Sequence, residues 1–181
     1  MYLLRRLETT KEISTGINLR NEIYFKEYAV PSGRDRFDEY SEHFLLKTVC
    51  GRDVGYVRAV KPIIDLPLKD LPVQEEILDK DFTTPLLWEI SKICVKPQYR
   101  RDMKALSTLA FAAAKIIIDS GAYGGCCVMT TSLARGLTML GFTNYRLGLP
   151  FEYHGSRAVY CFESSVIKGK PQYINFLKEI R

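Results

Sequence analysis

Histidine is nearly missing from this chain of 181 residues, which has only His43 and His154. The five cysteines, Cys50, Cys94, Cys126, Cys127 and Cys161, include no Cys-x-x-Cys pair. These two shortages argue against a zinc site, which needs several Cys or His donors at short spacing. An odd number of cysteines set in apolar runs points instead to buried, reduced thiols and to a cytoplasmic location. No apolar run approaches the ~20 residues that cross a bilayer. The longest candidate, Leu106–Ile118, is interrupted by Ser107, Thr108 and Lys115. The opening Met-Tyr-Leu-Leu-Arg-Arg-Leu-Glu lacks the long apolar stretch and small-residue cleavage site of a secretory leader. Stable membrane insertion is therefore not expected. A net charge of +5 is mild. With no long Lys/Arg block and no RNA-binding aromatic signature, nucleic acid is not an expected partner either.

What remains is an ordinary globular balance, 46% hydrophobic and 26% charged. The length suits a single domain spanning residues 1–181. Tyr2–Leu7 reads as a strand. Thr9 stands three residues before Glu12, the spacing of a capping box, and Ile13, Ile17, Arg20, Ile23 and Tyr24 then recur at helical spacing to about Tyr28. Pro31, Ser32 and Gly33 end that helix. His43–Cys50 and Gly55–Val60 form a hairpin around Gly51-Arg52-Asp53. Pro62, Pro67 and Pro72 punctuate a long connection that has room for a short helix near Val73–Leu78. Leu86–Val95 is the strongest strand, and an amphipathic helix follows it to about Ser120, with Gly121 as its stop. Cys126–Thr131 is a strand, and Ser132 caps a helix over Leu133–Leu140 that Gly141 ends. Phe142–Leu147 and Arg157–Glu163 are two more strands, and Pro171–Ile180 is a last helix. This order predicts an α/β (α+β) fold, a mixed and mostly antiparallel sheet with helices on both faces. The strands joined by the helix beginning near Met103 should be parallel, through a right-handed crossover.

The chemistry concentrates in Trp88-Glu89-Ile90-Ser91-Lys92-Ile93-Cys94-Val95-Lys96-Pro97-Gln98-Tyr99-Arg100-Arg101. Strand alternation predicts Glu89, Ser91 and Ile93 on one face, with Trp88, Ile90 and Lys92 on the other. A carboxylate and a hydroxyl in a central strand are costly to bury unless hydrogen-bonded. They form either a structural polar pair inside the sheet or the lining of a cleft that orients an amine or carbonyl. The basic cluster Arg100, Arg101 and Lys104 is either a solvated face or a docking patch for an acidic partner.

A strand, then Val-x-Pro, a basic turn and a long amphipathic helix resembles the acyl-donor unit of the N-acetyltransferase superfamily. There the turn cradles a pyrophosphate at the helix N-terminus. The turn Gln98-Tyr99-Arg100-Arg101-Asp102-Met103-Lys104 departs from that pattern in having no glycine. An acyl group arriving on a carrier protein would remove the need for one.

More closely, the chain resembles the acyl-homoserine-lactone (autoinducer) synthases and the long-chain N-acyl amino acid synthases. The resemblance rests on Arg20 with Ile23 and Tyr24, Asp35-x-Phe37-Asp38, Gly55-x-x-Arg58, Glu89-x-Ser91 with Lys92 in place of arginine, and Gly141-Phe142 followed by Leu147-Gly148-x-Pro150. It covers roughly residues 15–160. It implies an N-acetyltransferase-like sheet with a splayed central strand pair. It also implies a charge network of Arg20, Asp35, Asp38, Arg58 and Glu89, with Lys92 beside it, and a thioester oxygen held near Ile93–Val95. Lactone formation demands a pocket for S-adenosylmethionine, whereas N-acylation demands an amine, a thioester and a base, and the replaced arginine favours the latter. The expected activity is N-acyl amino acid synthesis, with an acyl carrier protein as partner and an amino acid, aromatic ones included, as acceptor. The donor would be the carrier's acyl-phosphopantetheine, with no tightly bound cofactor. Glu89 and Ser91 are the candidate catalytic residues. Arg100, Arg101 and Lys104 would dock the carrier. Trp88, Phe111, Met129, Met139 and Phe142 would line the acyl pocket. The alternatives are a lactone synthase, a coenzyme A-dependent N-acetyltransferase and a non-catalytic acyl- or carrier-binding module.

Overall fold

A computed structural model describes residues 2–29, 33–62, 87–152 and 156–180. The expected helix near Val73–Leu78 lies outside them. The first strand, β1 (Tyr2–Leu7), leads into helix α1 (Thr10–Tyr28). Thr9 accepts a hydrogen bond from the Glu12 N–H, and Glu12 accepts one from the Thr9 N–H, so the capping box is complete. The hairpin is β2 (Ser41–Thr48) and β3 (Asp53–Val60), joined through Gly51 at positive φ. Strand β4 (Leu87–Val95) is followed by a 3₁₀ turn at Pro97–Tyr99 and helix α2 (Met103–Asp119). Then come β5 (Gly124–Met129), α3 (Thr131–Met139), β6 (Tyr145–Glu152), β7 (Ser156–Glu163), α4 (Ser164–Lys168) and α5 (Pro171–Glu179).

The strands form one seven-stranded sheet in the order β1-β2-β3-β4-β5-β7-β6. Every neighbouring pair is antiparallel except β4 and β5, which are joined through α2 and run parallel, as expected. The larger core lies on the α2 face, where Leu109, Ala113 and Ile117 pack with Phe44, Val57, Ala59, Trp88 and Ile90. A smaller one lies under α1, from Leu7, Leu19, Ile23, Leu45, Tyr56 and Cys94.

Two local expectations are corrected. Helix α3 begins two residues early, because Thr130 and not Ser132 is its cap, the Thr130 hydroxyl accepting the Leu133 N–H. Strand β6 begins at Tyr145 and not at Phe142, because the Phe142 N–H is already bonded to the Leu137 carbonyl at 2.9 Å. With Gly141 at φ 85 and its N–H on the Thr138 carbonyl, this is a Schellman ending, which takes Phe142 out of any ladder.

Helix α1 sits close on the sheet. A Cβ added to Gly16 would lie 2.8 Å from Leu7 Cδ1 and 2.9 Å from the Tyr56 ring. Gly16→Ala is expected to lower stability by about 1–3 kcal/mol through overpacking, despite alanine's better helix propensity. Urea unfolding checks this, with a fall in midpoint at unchanged slope.

Candidate active site at the fork between two strands

Strand β4 departs from regular alternation in its middle. Tyr56 pairs with Cys94 while Arg58 pairs with Ser91, so β4 carries one residue more than β3 across that step. This is a β-bulge, and Lys92 sits in it at φ 58. The bulge exchanges two side chains relative to the expected pattern. Ile93 packs with Trp88, Ile90 and Val95 on the α2 face. Lys92 turns to the α1 face, its Nζ 5.5 Å from the centre of the Tyr24 ring. Glu89, Ser91 and Lys92 therefore share the face that the charge network occupies.

That network is built from both sides of the α1 face. Arg20, fully buried on α1, holds Asp38 bidentately at 2.8 and 3.1 Å. It also donates to the Gly33 carbonyl at 2.7 Å. Arg58 of β3 donates to Asp38 at 2.7 Å, to Asp35 at 2.5 Å, and through Nε to the Ser91 hydroxyl at 3.0 Å. Burial alone would raise the Asp38 carboxyl, but its bonds from Arg20 and the Asp35 N–H, with the charge of Arg58, outweigh that and hold it at about 2. Beneath lies His43, which contacts the Tyr56 hydroxyl at 2.7 Å and the Asp38 carbonyl at 2.9 Å. Only a protonated Nε2 can serve that carbonyl, so the Tyr56 hydroxyl donates to Nδ1. Burial pushes the imidazole pKa down, keeping it neutral.

Glu89 is different in kind. It is 7% exposed and, among the described residues, makes no ion pair. Burial lifts its pKa to about 7, with only partial relief from Arg58, Lys92 and the Ser91 hydroxyl. Its place in the sheet is equally particular. The parallel strands β4 and β5 pair only over Leu87–Glu89 with Gly124–Cys126. Beyond Glu89 they separate, so the carboxyl stands at the vertex of the fork. A cleft of about 280 Å³ flanks the outer half of β4. It is lined by Ile93, Cys94 and Val95, by Tyr24 and Tyr28 of α1, by Leu106 of α2 and by Leu133 of α3, with Arg100 also on its wall.

The expected site residues are thus partly gathered and partly dispersed. Arg20, Asp35, Asp38, Arg58, Glu89, Ser91 and Lys92 come together on one face. Arg100 donates to the Val95 carbonyl at 2.8 Å and pairs with Glu27, which ties the turn to α1. Lys104 pairs with Glu179 at 2.8 Å, and Arg101 is exposed. None of the five expected acyl-lining residues lines the cleft. Trp88, Phe111, Met129 and Phe142 belong to the close-packed core on the α2 face, where Phe142 meets Phe162 at 4.8 Å, and Met139 is 85% exposed. Gly124 and Gly125 leave no room either, since Cβ atoms there would strike the Phe162 backbone and ring. Asp102 carries a role the sequence did not suggest. It caps α2 by accepting the Lys104 N–H at 2.9 Å and also accepts the Tyr2 hydroxyl at 2.8 Å. Among the described residues no three metal-ligating side chains cluster, and no helix is long and apolar enough to cross a membrane.

The sheet thus forks beside a cleft, with the Glu89 carboxyl at the vertex but not itself on the cleft wall. The sequence gives the family: residues 19–110 match the acetyltransferase (GNAT) domain, and the chain belongs to that family. It is an acyltransferase of the GNAT type, with a GNAT-like fold. Among solved structures it is similar to FeeM, an N-acyl amino acid synthase from uncultured soil microbes, with a TM-score of 0.73 and 15% identity over 93% of each chain. It is similar to BjaI, a CoA-dependent acyl-homoserine lactone synthase, with a TM-score of 0.71 and 19% identity, covering 97% of this chain and 89% of that one. The homoserine lactone synthase LasI gives 0.71 and 16%, covering 91% and 90%. These likenesses are of fold. No curated protein matches the sequence.

Proposed function

We propose that the protein is an N-acyl amino acid synthase, moving a long-chain acyl group from an acyl carrier protein thioester to the α-amine of an amino acid. The observation that carries this is Glu89, a buried carboxyl with a pKa of about 7 at the vertex of the fork. A general base works best when its pKa lies near the working pH. The acceptor's ammonium first releases a proton through Glu89 to solvent. The neutral nitrogen then attacks the thioester carbonyl carbon. The N–C bond forms, the C–S bond breaks, and the remaining excess proton passes through Glu89 to the departing thiolate. Backbone N–H groups of β4 beyond Glu89, where pairing with β5 has ended, would hold the carbonyl oxygen. Ser91, fixed by Arg58, orients the carboxyl.

The carrier-bound donor is supported by the end of α2. There the Asp102 carboxylate accepts the Lys104 N–H and sets a negative charge at the helix N-terminus, where it would repel a coenzyme A diphosphate. With Asp102 in place and no glycine in the turn, positive side chains meet the acidic carrier instead. Reversing the exposed Arg101 to Glu should raise the KM for acyl carrier protein thioester severalfold and spare a small acyl-cysteamine thioester. Steady-state kinetics with both donors checks this, and equal effects on the two remove the docking patch. The fold shared with homoserine lactone synthases keeps lactone formation as the second reading, and dependence of the product on S-adenosylmethionine distinguishes it.

A further inference from the structure

Among the described residues, Lys92 stands beside the charge network on the α1 face without belonging to any of its ion pairs. Asp35 and Asp38 are engaged by Arg20 and Arg58. Lys92, partly buried, makes no ion pair among the described residues, and its ammonium lies over the Tyr24 ring. Its backbone conformation is equally unusual. Apart from Ala29 at the end of α1, it is the only non-glycine described residue at positive φ. A long side chain in that region costs of order 1 kcal/mol or more, and such strain collects at functional sites. The bulge that imposes it is also what aims Lys92 at the α1 face beside Glu89, away from the α2 core. Burial and the positive charges of Arg58 and Arg20 act against its own charge, with Asp35 and Glu89 opposing them. Among the described residues no carboxylate lies within ion-pair distance of this partly desolvated ammonium, which is a place for an external anion.

We infer that Lys92 is the receptor for the carboxylate of the amino acid acceptor, with the bulge in β4 placing it to hold that group while the α-amine reaches Glu89. This rests on the proposed N-acyl amino acid synthesis and adds the element that recognises the substrate class. Lys92 and Glu89 present one positive and one negative group on one face, the complement of a zwitterion. The two arginines are less accessible, being 0% and 1% exposed and both engaged by Asp38, whereas Lys92 is only half-buried. Tyr24 forms one wall of both the lysine site and the donor cleft, so the acceptor and the thioester meet across it.

The test compares acid and amide acceptors. Wild type, Lys92→Met and Lys92→Arg are each given palmitoyl carrier protein with an equimolar mixture of amino acids, or with the same mixture of amino acid amides. Acylated products are counted by mass spectrometry. The expected result is that the ratio of acid to amide products falls at least tenfold in Lys92→Met and recovers to within threefold of wild type in Lys92→Arg. An unchanged ratio in Lys92→Met, with total turnover lowered or not, overturns the assignment of Lys92 and leaves amide synthesis standing. A lowered ratio that Lys92→Arg does not restore also overturns it, since the positive charge would then not be what is read. Absence of any acylated product from wild type overturns the proposed function and the inference with it.

Discussion

Glu89→Gln should lower kcat/KM for amide formation by about 10²–10⁴-fold, the usual worth of a positioned general base, while the fold becomes more stable above neutral pH. The two effects have one cause. Burial raises the Glu89 carboxyl to about 7, against about 4.3 for an unperturbed glutamate. Between those values the folded chain holds a proton that the unfolded chain has lost. Stability from this group is therefore complete below about pH 4 and falls as pH rises toward 7. Above 7 the folded protein carries a buried carboxylate at a cost on the order of 3 kcal/mol. Glutamine removes that cost. At pH 8 the variant should unfold at higher urea than wild type, and at pH 4 the two should nearly coincide. In wild type, kcat/KM should rise through about pH 7 as Glu89 ionises, and the variant should lack that rise. Undiminished turnover in the variant across pH would remove Glu89 as the base.

Asp38→Asn should have the opposite balance, a large loss of stability. Asp38 accepts from both Arg20 and Arg58, and all three side chains are buried. Removing its charge leaves two guanidinium groups in the interior with only the half-buried Asp35 between them. Breaking a buried pair in this way costs about 3–5 kcal/mol, a large share of the stability of a domain this size. The pH dependence follows from its depressed pKa. The Asp38 contribution is complete above the unfolded pKa near 3.9 and is lost as pH falls through about 2. Chemical unfolding at pH 7 should show the full loss, and the gap between wild type and variant should narrow below pH 3. An unchanged midpoint at pH 7 would mean that the network contributes nothing net to the fold.

Much of this was legible in the sequence because its signals are local. The Thr9/Glu12 box, the helical spacing of Ile13, Ile17 and Ile23, the glycine of the β2–β3 turn and the apolar run of β4 each act within a few residues. Parallel pairing of β4 and β5 followed from the helix between them. What the sequence hid depends on partners far along the chain. The bulge at Lys92 arises only when β4 is laid against β3, and no glycine marks it. Without it, alternation puts Lys92 on the wrong face and Ile93 among the charges. Apolar residues at helical spacing read alike in a core and in a channel, and so Phe111 and Phe142 proved to be core. Short α4 has no capping signal. The joining of Arg20, Asp35, Asp38 and Arg58 was expected from the family resemblance alone, since nothing within any one segment brings them together.

The central claim is that an acyl group leaves a thioester for an amino acid's nitrogen at the fork beside Glu89. The most direct measurement is the mass of the product when purified protein is given palmitoyl carrier protein, mixed amino acids and S-adenosylmethionine. The account predicts an N-palmitoyl amino acid that retains its free carboxylate and forms equally well without S-adenosylmethionine. A palmitoyl lactone that appears only with S-adenosylmethionine, or free palmitate with no amide at all, would contradict it.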